Sequence, residues 1–523
     1  MTDLLHTTFI GMAKRAWGRF AMADSTGQVL TYGRVLVGSR LLARRIARRS
    51  AAEEMVGVLL PASVGGALAN IAALMAGKIP VNLNFTAGAE AMDAAVSSCN
   101  IRTIYTSKRF LQKAAIAPTS SMVFLEDILT GIGSIEKLTT LVRTRLTPTA
   151  HLCRIYGRDQ TPDALATVIF SSGSTGVPKG VMISHANILA NVDAMARVFP
   201  MTPVDCFIGV LPFFHAFGFT TSLWFPLIQG CGAAFHPNPM DAKVVGELTE
   251  TYRGSMLVTT PTFCQAYLRR CTREQFSSLR FVIVGGEKLR EPLAAAYRDT
   301  YGINLLEGYG CTEMSPVVSV NRPDVAPDGR PQLGTKAGSV GPPLPGVSVK
   351  VVDQGSGDGP LIDRDGLLLV TGPSLMRGYL GQPERTAEVM RDGWYVTGDI
   401  ARVDADGFLF VTDRLSRFSK IGGEMVPHVR VETMLTELLG ESCAAVTSLP
   451  DAARGERLVL FYTRQDVAPA TVWNRLSETD LPRLWLPRPD SIFQIGEIPT
   501  LGTGKVDLRR LRQLAAERTA QPS

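Results

Sequence analysis

Blocks of apolar residues, separated by polar and glycine-rich stretches, recur along the whole chain. Residues 56–77 carry no charged side chain, a length compatible with a membrane span. A proline, two adjacent glycines and an asparagine interrupt this run, however. It therefore predicts a strand over residues 56–60 and a buried helix over residues 67–76 instead of a span.

The same alternation of strand and helix patterns continues through the middle of the chain. Further strands are predicted at residues 206–211, 232–235, 256–259, 281–284 and 303–306. Helical stretches between them favour parallel sheets covered on both faces. From residue 346 the pattern changes to short strands with Gly/Asp turns. After residue 413 strands and helices mix again, at residues 429–439, 444–448 and 458–462. The sequence thus predicts an α/β protein with a large domain, residues 1–412, and a small one, residues 413–523.

Composition narrows the class of protein. The 523 residues are 45% hydrophobic and 20% charged, enough for a large core and more than one domain. The net charge of +6 is mild, and with no zinc spacing or RNA-binding aromatic motif it does not indicate nucleic acid. The eight cysteines show no C-x-x-C, and the first residues lack a signal-peptide pattern. We therefore expect a soluble, cytoplasmic protein.

One predicted helix carries a cluster of arginines. They alternate with Leu41, Leu42 and Ile46, which mark the apolar face. The favoured interpretation is a solvated helix face. The alternative is a docking surface for an acidic carrier protein or anionic lipid, which would mean peripheral membrane contact. The cluster comprises Arg40, Arg44, Arg45, Arg48 and Arg49.

A run of hydroxyl-bearing and glycine residues follows the apolar stretch 165–170, which predicts one buried strand. Glycine lets backbone N–H groups turn toward an anion, and a lysine adds positive charge. The spacing differs from that of the common P-loop. A Ser/Gly linker is the alternative, but linkers do not usually follow a buried strand. The run predicts a loop around a polyphosphate, made of Ser171, Ser172, Gly173, Ser174, Thr175, Gly176 and Lys179.

A second glycine-rich motif, E-G-Y-G-C-T-E, occupies residues 307–313. Alone it is compatible with a turn whose threonine caps a helix. Its last carboxylate, Glu313, suits Mg²⁺, which prefers oxygen ligands and phosphates. Residues 285–289, G-G-E-K-L, follow a predicted strand and offer an edge that can receive a flat ring. Beside a phosphate loop, we interpret both segments as binding motifs.

Three charged residues stand further along the chain: Asp399 and Lys505, each directly after a glycine, and Arg414, after Thr412 and Asp413. A carboxylate can accept both hydroxyls of a ribose, and a guanidinium can reach ribose or phosphate. A lysine on a Gly-Thr-Gly loop can neutralise charge that builds on a phosphate. As isolated residues all three would be ordinary surface charges.

Together these motifs resemble the adenylate-forming superfamily, which includes acyl-CoA synthetases, luciferases and peptide-synthetase adenylation domains. The resemblance runs from about residue 56 to residue 505. Residues 417–426, R-F-S-K-I-G-G-E-M-V, are similar to acyl-acyl carrier protein synthetases of the kind fused to 2-acylglycerophosphoethanolamine acyltransferases. The resemblance implies an N-terminal domain of parallel-rich sheets with helices and a small β-barrel-like part. It also implies a small, mobile C-terminal α+β domain.

The resemblance implies a role for each motif, with ATP and Mg²⁺ as cofactors. Catalysis is expected from Lys505, Thr312, Glu313 and His215, with Glu313 also holding the metal. The acyl chain and the thiol are expected to pass Phe214, Gly285, Gly422 and Gly423. ATP or AMP is expected to contact Ser171, Ser172, Gly173, Ser174, Thr175, Gly176, Lys179, Gly286, Glu287, Lys288, Gly308, Tyr309, Gly310, Asp399 and Arg414.

The substrate acid is expected to be apolar. Residues 211–240 contain no Asp or Glu, although an amino-acid-activating domain needs a carboxylate to pair with the substrate ammonium. The same stretch is rich in aromatic side chains. His215 stands among them, and such a lone histidine is more often a packed core residue. The resemblance to the superfamily raises the odds that it lies at the acid's entrance.

We therefore expect ATP-dependent activation of a fatty acid to acyl-adenylate, followed by transfer to the phosphopantetheine thiol of holo-acyl carrier protein. The alternatives are transfer to CoA, a ligase that hands the adenylate to another enzyme, and a non-catalytic ATP or acyl sensor. Two residues depart from the family pattern at the expected hinge, Asp413 and Ser416. These two residues are expected to affect the rate at which the small domain rotates.

Overall fold

The computed structural model describes residues 3–158, 160–171, 179–325, 332–414, 417–421, 424–440, 443–451, 454–500 and 506–520. The first part of the chain forms a parallel four-stranded sheet of order β4-β3-β5-β6 with helices around it. Its elements are α1 Leu5–Arg15, β1 Phe20–Asp24, β2 Val29–Thr31, α2 Tyr32–Arg49, β3 Met55–Leu59, α3 Val64–Met75, β4 Ile79–Asn82, α4 Ala89–Ser98, β5 Ile104–Thr106, α5 Lys108–Ala114, β6 Met122–Phe124, α6 Leu125–Thr130, α7 Ser134–Leu146 and α8 Thr149–Tyr156.

The uncharged run near the start is a strand and a helix, as predicted. It comprises β3 and α3, and the Ser63 hydroxyl caps α3 by accepting a hydrogen bond from Gly66 N at 3.1 Å. In the described ranges, no helix has the length and apolar character needed to cross a membrane. All eight cysteines lie in those ranges and are thiols outside any disulfide. The cytoplasmic location stays a prediction.

The middle of the chain builds an eight-stranded sheet of order β14-β13-β12-β11-β9-β10-β1-β2. Pairing is parallel from β13 to β1, and the two edge strands, β14 and β2, pair antiparallel. The elements added here are β7 Leu165–Ser171, β8 Lys179–Ser184, α9 His185–Val198, β9 Cys206–Gly209, a π-helical turn Gly218–Trp224, α10 Phe225–Gln229, β10 Gly232–Phe235, α11 Ala242–Thr251, β11 Met256–Thr259, α12 Pro261–Leu268, α13 Arg273–Phe276, β12 Phe281–Val284, α14 Glu291–Tyr301, β13 Leu305–Gly310, a 3₁₀ helix Thr312–Met314 and β14 Val317–Val320.

Short antiparallel strands follow, in the place where the sequence predicts them. They form a sheet of order β15-β16-β19-β18, with β20 also paired to β19, while β17 joins β8 and β7 in a third small sheet. The structure has this five-stranded sheet where a barrel-like part was expected. Its elements are β15 Ser348–Val352, β16 Gly366–Thr371, β17 Gly378–Tyr379, α15 Pro383–Val389, β18 Met390–Arg391, β19 Trp394–Val403 and β20 Leu409–Arg414.

The last part of the chain has a sheet and hydrophobic clusters of its own. Helix α16 packs through Val431 and Leu435 in one hydrophobic cluster of this part. Helix α18 packs through Leu511 and Ala515 in a second cluster. This confirms the large α/β part followed by a smaller one. The boundary at residues 412/413 stays a prediction, and β20 runs across it. The elements are β21 Phe418–Ile421, β22 Glu424–Pro427, α16 His428–Leu439, β23 Ala444–Asp451, β24 Gly455–Tyr462, α17 Pro469–Ser477, 3₁₀ turns Arg483–Trp485 and Pro489–Ser491, β25 Ile492–Gln494 and α18 Leu508–Ala520.

The arginine-rich helix differs from its favoured interpretation as a solvated face. Arg40 is buried, and its guanidinium donates hydrogen bonds to Thr144 of α7 and to the Tyr156 hydroxyl. Two further arginines of α2 also bind α7, so the solvated-face prediction is wrong for three of the five. Arg48 and Arg49 are exposed as predicted. The cause is a partner helix about ninety residues away, which the local pattern cannot reveal.

Candidate nucleotide and acid site

A cleft of about 3360 Å³ opens at the carboxyl ends of the parallel strands β11, β12 and β13. Ligands of open α/β sheets bind at such strand ends, where loops leave the sheet. The cleft is lined by residues of these loops, of β19 and β20, and of the small C-terminal part. Sequence-predicted residues from six separate segments, beginning with Ser171 and ending with Arg414, line this one cleft.

One group of side chains, which we call the polar cluster, consists of Tyr309, Asp399 and Arg414. Strands β19 and β20 place Asp399 directly opposite Arg414, and Arg414 Nε lies 3.3 Å from Asp399 Oδ1. The Tyr309 hydroxyl donates a hydrogen bond to Asp399 Oδ2. Burial, helped by the Asp399 carboxylate, raises the pKa of Tyr309 well above its usual range, so the phenol stays a donor. The structure thus brings together three residues that are far apart in the sequence.

Glu313 lies on the 3₁₀ helix after β13 and is almost fully buried. Its Oε1 accepts a hydrogen bond from the Tyr379 hydroxyl at 2.8 Å. Lys179 Nζ lies 5.0 Å from the centre of the same tyrosine ring, a cation–π contact. Tyr379 therefore joins the carboxylate of the second motif to the lysine of the first. Sequence reasoning missed Tyr379, because only the pairing of β17 with β8 brings it here.

The predicted phosphate loop is anchored by a pair of antiparallel strands. Ser171 at the end of β7 is paired with Lys179 at the start of β8. The two anchors line the cleft, whereas Ser172, Gly173, Ser174, Thr175 and Gly176 lie outside the described residues. The structure confirms the buried strand that precedes this loop. The loop's contact with a phosphate stays a prediction.

The loop after β12 carries the G-G-E-K-L segment, whose Gly286, Glu287 and Lys288 line the cleft. Glu287 Oε2 accepts a hydrogen bond from the Thr262 hydroxyl at 2.6 Å. At Gly285, a side chain would begin only 3.3 Å from the Gly308 carbonyl oxygen and from the Phe217 ring. This close approach of loop and strand explains the glycine on physical grounds.

Glu307 opens the second motif but was not among the predicted site residues. It is 7% exposed, and its Oε1 accepts a hydrogen bond from Leu289 N at 2.8 Å. Burial raises the pKa of this carboxyl to about 7, although the Leu289 N–H and the Lys288 charge oppose the shift. The available signal was a charged residue at the end of an otherwise apolar strand. By accepting the hydrogen bond from Leu289 N, Glu307 stabilises the G-G-E-K-L loop.

Aromatic side chains form a second group, the aromatic cluster, consisting of Phe85, Phe110, Phe214 and His215. Phe85 packs edge-on against Phe110 and Phe214, with ring centres 4.9 Å and 5.0 Å apart. His215 lies 4.7 Å from Phe214, and both residues line the cleft. Sequence reasoning found Phe214 and His215 but missed Phe85, in the loop after β4, and Phe110, on α5.

Several predicted residues lie outside the described part of the chain, namely Gly422, Gly423, Ser416 and Lys505. The residues that flank the Lys505 segment are described. Thr500 and Val506 pair with each other as an isolated β-bridge, and both line the cleft. The described ranges hold no cluster of three or more His, Cys, Asp or Glu side chains that could bind a metal.

Comparison with known proteins agrees with this geometry. A family model for AMP-binding enzymes matches residues 11–380, and the chain belongs to that family. The chain is 26% identical over 493 residues to a long-chain-fatty-acid–CoA ligase from Escherichia coli O6:H1, covering 88% of this chain and 86% of the relative. It is 32% identical over 353 residues to a feruloyl-CoA synthase from Amycolatopsis sp, covering 66% and 68%.

Solved structures show the same fold. The o-succinylbenzoate CoA synthetase from Bacillus subtilis, in complex with ATP and magnesium ion, matches with a TM-score of 0.80 at 21% identity, over 98% of this chain and 100% of that one. ATP-bound MatB from Rhodopseudomonas palustris matches with a TM-score of 0.81 at 23% identity, over 98% and 99%. The predicted superfamily is confirmed. The finer likeness to acyl-acyl carrier protein synthetases stays a prediction, since the fatty-acid ligase and the feruloyl enzyme are both named for CoA.

Proposed function

We propose that the protein is an acid–thiol ligase that activates an apolar carboxylic acid with ATP and transfers it to CoA. The observation that carries the proposal is the shared cleft, which is lined by the polar cluster and by Phe214 and His215 of the aromatic cluster. A nucleotide is bound by several polar groups, whereas an apolar acid is bound by a pocket wall made of apolar side chains. Family membership supports the chemistry, and the names of the relatives support CoA over acyl carrier protein.

In the first step, a carboxylate oxygen attacks the α-phosphorus of ATP, the bond to the β-phosphate oxygen breaks, and pyrophosphate leaves. Asp399 and Arg414 hold the ribose, and Tyr309 stacks on the base. Thr312 and the loop of residues 171–179 hold phosphate oxygens, while Lys505 neutralises the charge that builds on the α-phosphate. In the second step, a thiolate attacks the acyl carbonyl carbon and AMP leaves.

Magnesium fits the residues present. Glu313 offers a buried carboxylate beside the anchors of the phosphate loop, and a hard cation can complete its shell with phosphate oxygens and water. Glu313 would hold the ion, which when bound screens the phosphate charges.

The proposal is tested with the purified protein, ATP, Mg²⁺ and a panel of acids of short, medium and long chain, with hydroxycinnamic acids added. CoA and holo-acyl carrier protein are offered side by side, and products are identified by mass. We expect an acyl-CoA product. Acyl-carrier product alone would overturn the acceptor but keep the ligase, in line with the expectation from the sequence. Adenylate with no thioester would indicate a ligase that stops after the first step, and no ATP-dependent product would overturn the function.

A further inference from the structure

Helix α7 lies on the body of the protein with its polar face inward. Thr140 Oγ1 accepts a hydrogen bond from Arg44 Nη1 at 3.2 Å, and Glu136 pairs with Arg45 at 2.7 Å. Thr140 and Thr144 are fully buried. A surface helix of a globular protein normally buries its apolar stripe and exposes its polar face. Here the arginines of α2 hold the polar face of α7, so its apolar face points to solvent.

The exposed side of α7 carries a continuous apolar stripe, which we call the α7 stripe. Ile135 is 80% exposed, Leu138 61% and Leu146 75%. Spacings of three and four residues put such side chains on one side of a helix, in a row about 16 Å long. Exposed apolar groups of this kind on one element mark an interaction surface. The stripe consists of Ile135, Leu138, Leu141, Val142 and Leu146.

The surroundings of the α7 stripe are cationic. Helix α7 itself carries Lys137, Arg143 and Arg145 against one acidic side chain, Glu136, which is already paired with Arg45. At the end of the helix, Arg145 lies 5.1 Å from the ring centre of Trp17. Lys14 Nζ donates to the Thr144, Arg145 and Thr147 carbonyl oxygens at 2.7–2.9 Å, which fixes this end. The helix is therefore held rigidly with an apolar stripe and a basic rim.

We propose that the α7 stripe docks onto the surface of a bilayer that contains anionic lipid. An apolar helix face rimmed by Lys and Arg suits this occupant, since the side chains enter the acyl boundary while the cations meet the headgroups. A second copy of the chain is a poorer occupant. Two-fold packing of the same patch would place like charges such as Arg143 opposite one another. The inference goes beyond the proposed function and does not depend on catalysis.

The test is flotation of the full-length protein with vesicles of phosphatidylcholine alone or mixed with phosphatidylglycerol. We expect binding to the mixed vesicles only. The double substitution Leu138→Asp/Val142→Asp should lower the bound fraction by at least about tenfold, because the stripe would carry charge into the acyl boundary. The control Val204→Asp changes a side chain that is 89% exposed elsewhere, and it should bind as the wild type does. Lys137→Gln/Arg143→Gln should weaken binding and flatten its dependence on salt.

The positions changed are exposed, so the circular dichroism spectrum and melting temperature should stay as in the wild type. If the aspartate pair unfolds the protein, Leu138→Ser/Val142→Ser gives the same test with a smaller expected loss. The proposal is overturned if the wild type does not bind mixed vesicles at low salt, or if the stripe variants bind equally well. It is also overturned if the wild type is a dimer in solution that the stripe variants convert to monomers. Failure of the proposed ligase activity would leave vesicle binding unchanged.

Discussion

The polar cluster lines the same cleft as Phe214 and His215 of the aromatic cluster, but the two clusters are built in different ways. In the polar cluster, a hydrogen bond joins Tyr309 to Asp399, and an ion pair joins Asp399 to Arg414. In the aromatic cluster, Phe85 and Phe214 meet through ring edges, a contact that tolerates small shifts. Hydrogen bonds and ion pairs are directional and fix one geometry, whereas the strength of an apolar contact depends on the area and shape of the two surfaces. We therefore expect the nucleotide to be recognised strictly and the acid more loosely.

The largest expected effect comes from Lys505→Ala. If this lysine neutralises charge in the transition state of adenylation, its loss should slow adenylate formation by about 10²–10³-fold while ATP still binds. Pyrophosphate exchange measures the first quantity and calorimetric titration with ATP the second. Lys108→Ala removes a lysine from an exposed ion pair with Asp127 and serves as the control. Full exchange in the Lys505 variant would remove the residue from its proposed role.

A smaller effect, confined to the nucleotide, is expected for Asp399→Asn. The change keeps the size of the side chain but leaves Arg414 and the ribose hydroxyls without a carboxylate. Charged hydrogen bonds contribute enough that the Kd for ATP should rise about 10–100-fold. The KM for the acid should stay within about twofold at saturating ATP. Asp353→Asn, in an exposed turn, is the matched control, and unchanged ATP affinity in the Asp399 variant would contradict the assignment.

The converse change is Phe214→Leu in the aromatic cluster. It removes ring contacts with Phe85 and His215 but keeps an apolar side chain. We expect the KM for an apolar acid to rise about 3–10-fold, because part of an aromatic contact is lost. ATP affinity should not change. Phe225→Leu, buried against Phe207 in the core, controls for general loosening. If ATP affinity fell as far as acid affinity, the two clusters would not be separable.

The central strands of the eight-stranded sheet were predicted well from the sequence. The contacts between segments far apart in the chain were predicted poorly. Strands β10, β11 and β12 have the predicted bounds, since a buried parallel strand is a continuous apolar run with turn residues at its ends. Strand β13 begins two residues later than predicted and runs on through Tyr309. What local patterns cannot supply is contact between distant segments. Tyr379 reaches Glu313 through the pairing of β17 with β8, and Phe85 reaches Phe214 through a ring contact. Likewise, α7 covers arginines that the pattern indicated to be solvated.

The smallest effect on activity, but a distinct one on stability, is expected at Glu307. This carboxyl is buried two residues before Tyr309, and burial raises its pKa from 4.5 to about 7 in the folded chain. The folded state then holds a proton that the unfolded state has lost between those values. The stabilisation linked to this raised pKa is fully present below about pH 4.5 and is lost as pH rises through 7. The free energy of unfolding differs by up to about 3 kcal/mol between the two ends of this range.

Glu307→Gln keeps the acceptor for the Leu289 N–H and removes the titration. Its free energy of unfolding relative to the wild type should therefore rise between about pH 5 and pH 8, as measured by urea denaturation. Glu291→Gln, on the exposed start of α14, should show no such trend. A difference that stayed constant with pH would mean that Glu307 is ionised in the folded protein. Burial would then not distinguish the polar side of the cleft from the aromatic cluster. The difference between the two would rest on hydrogen bonds alone.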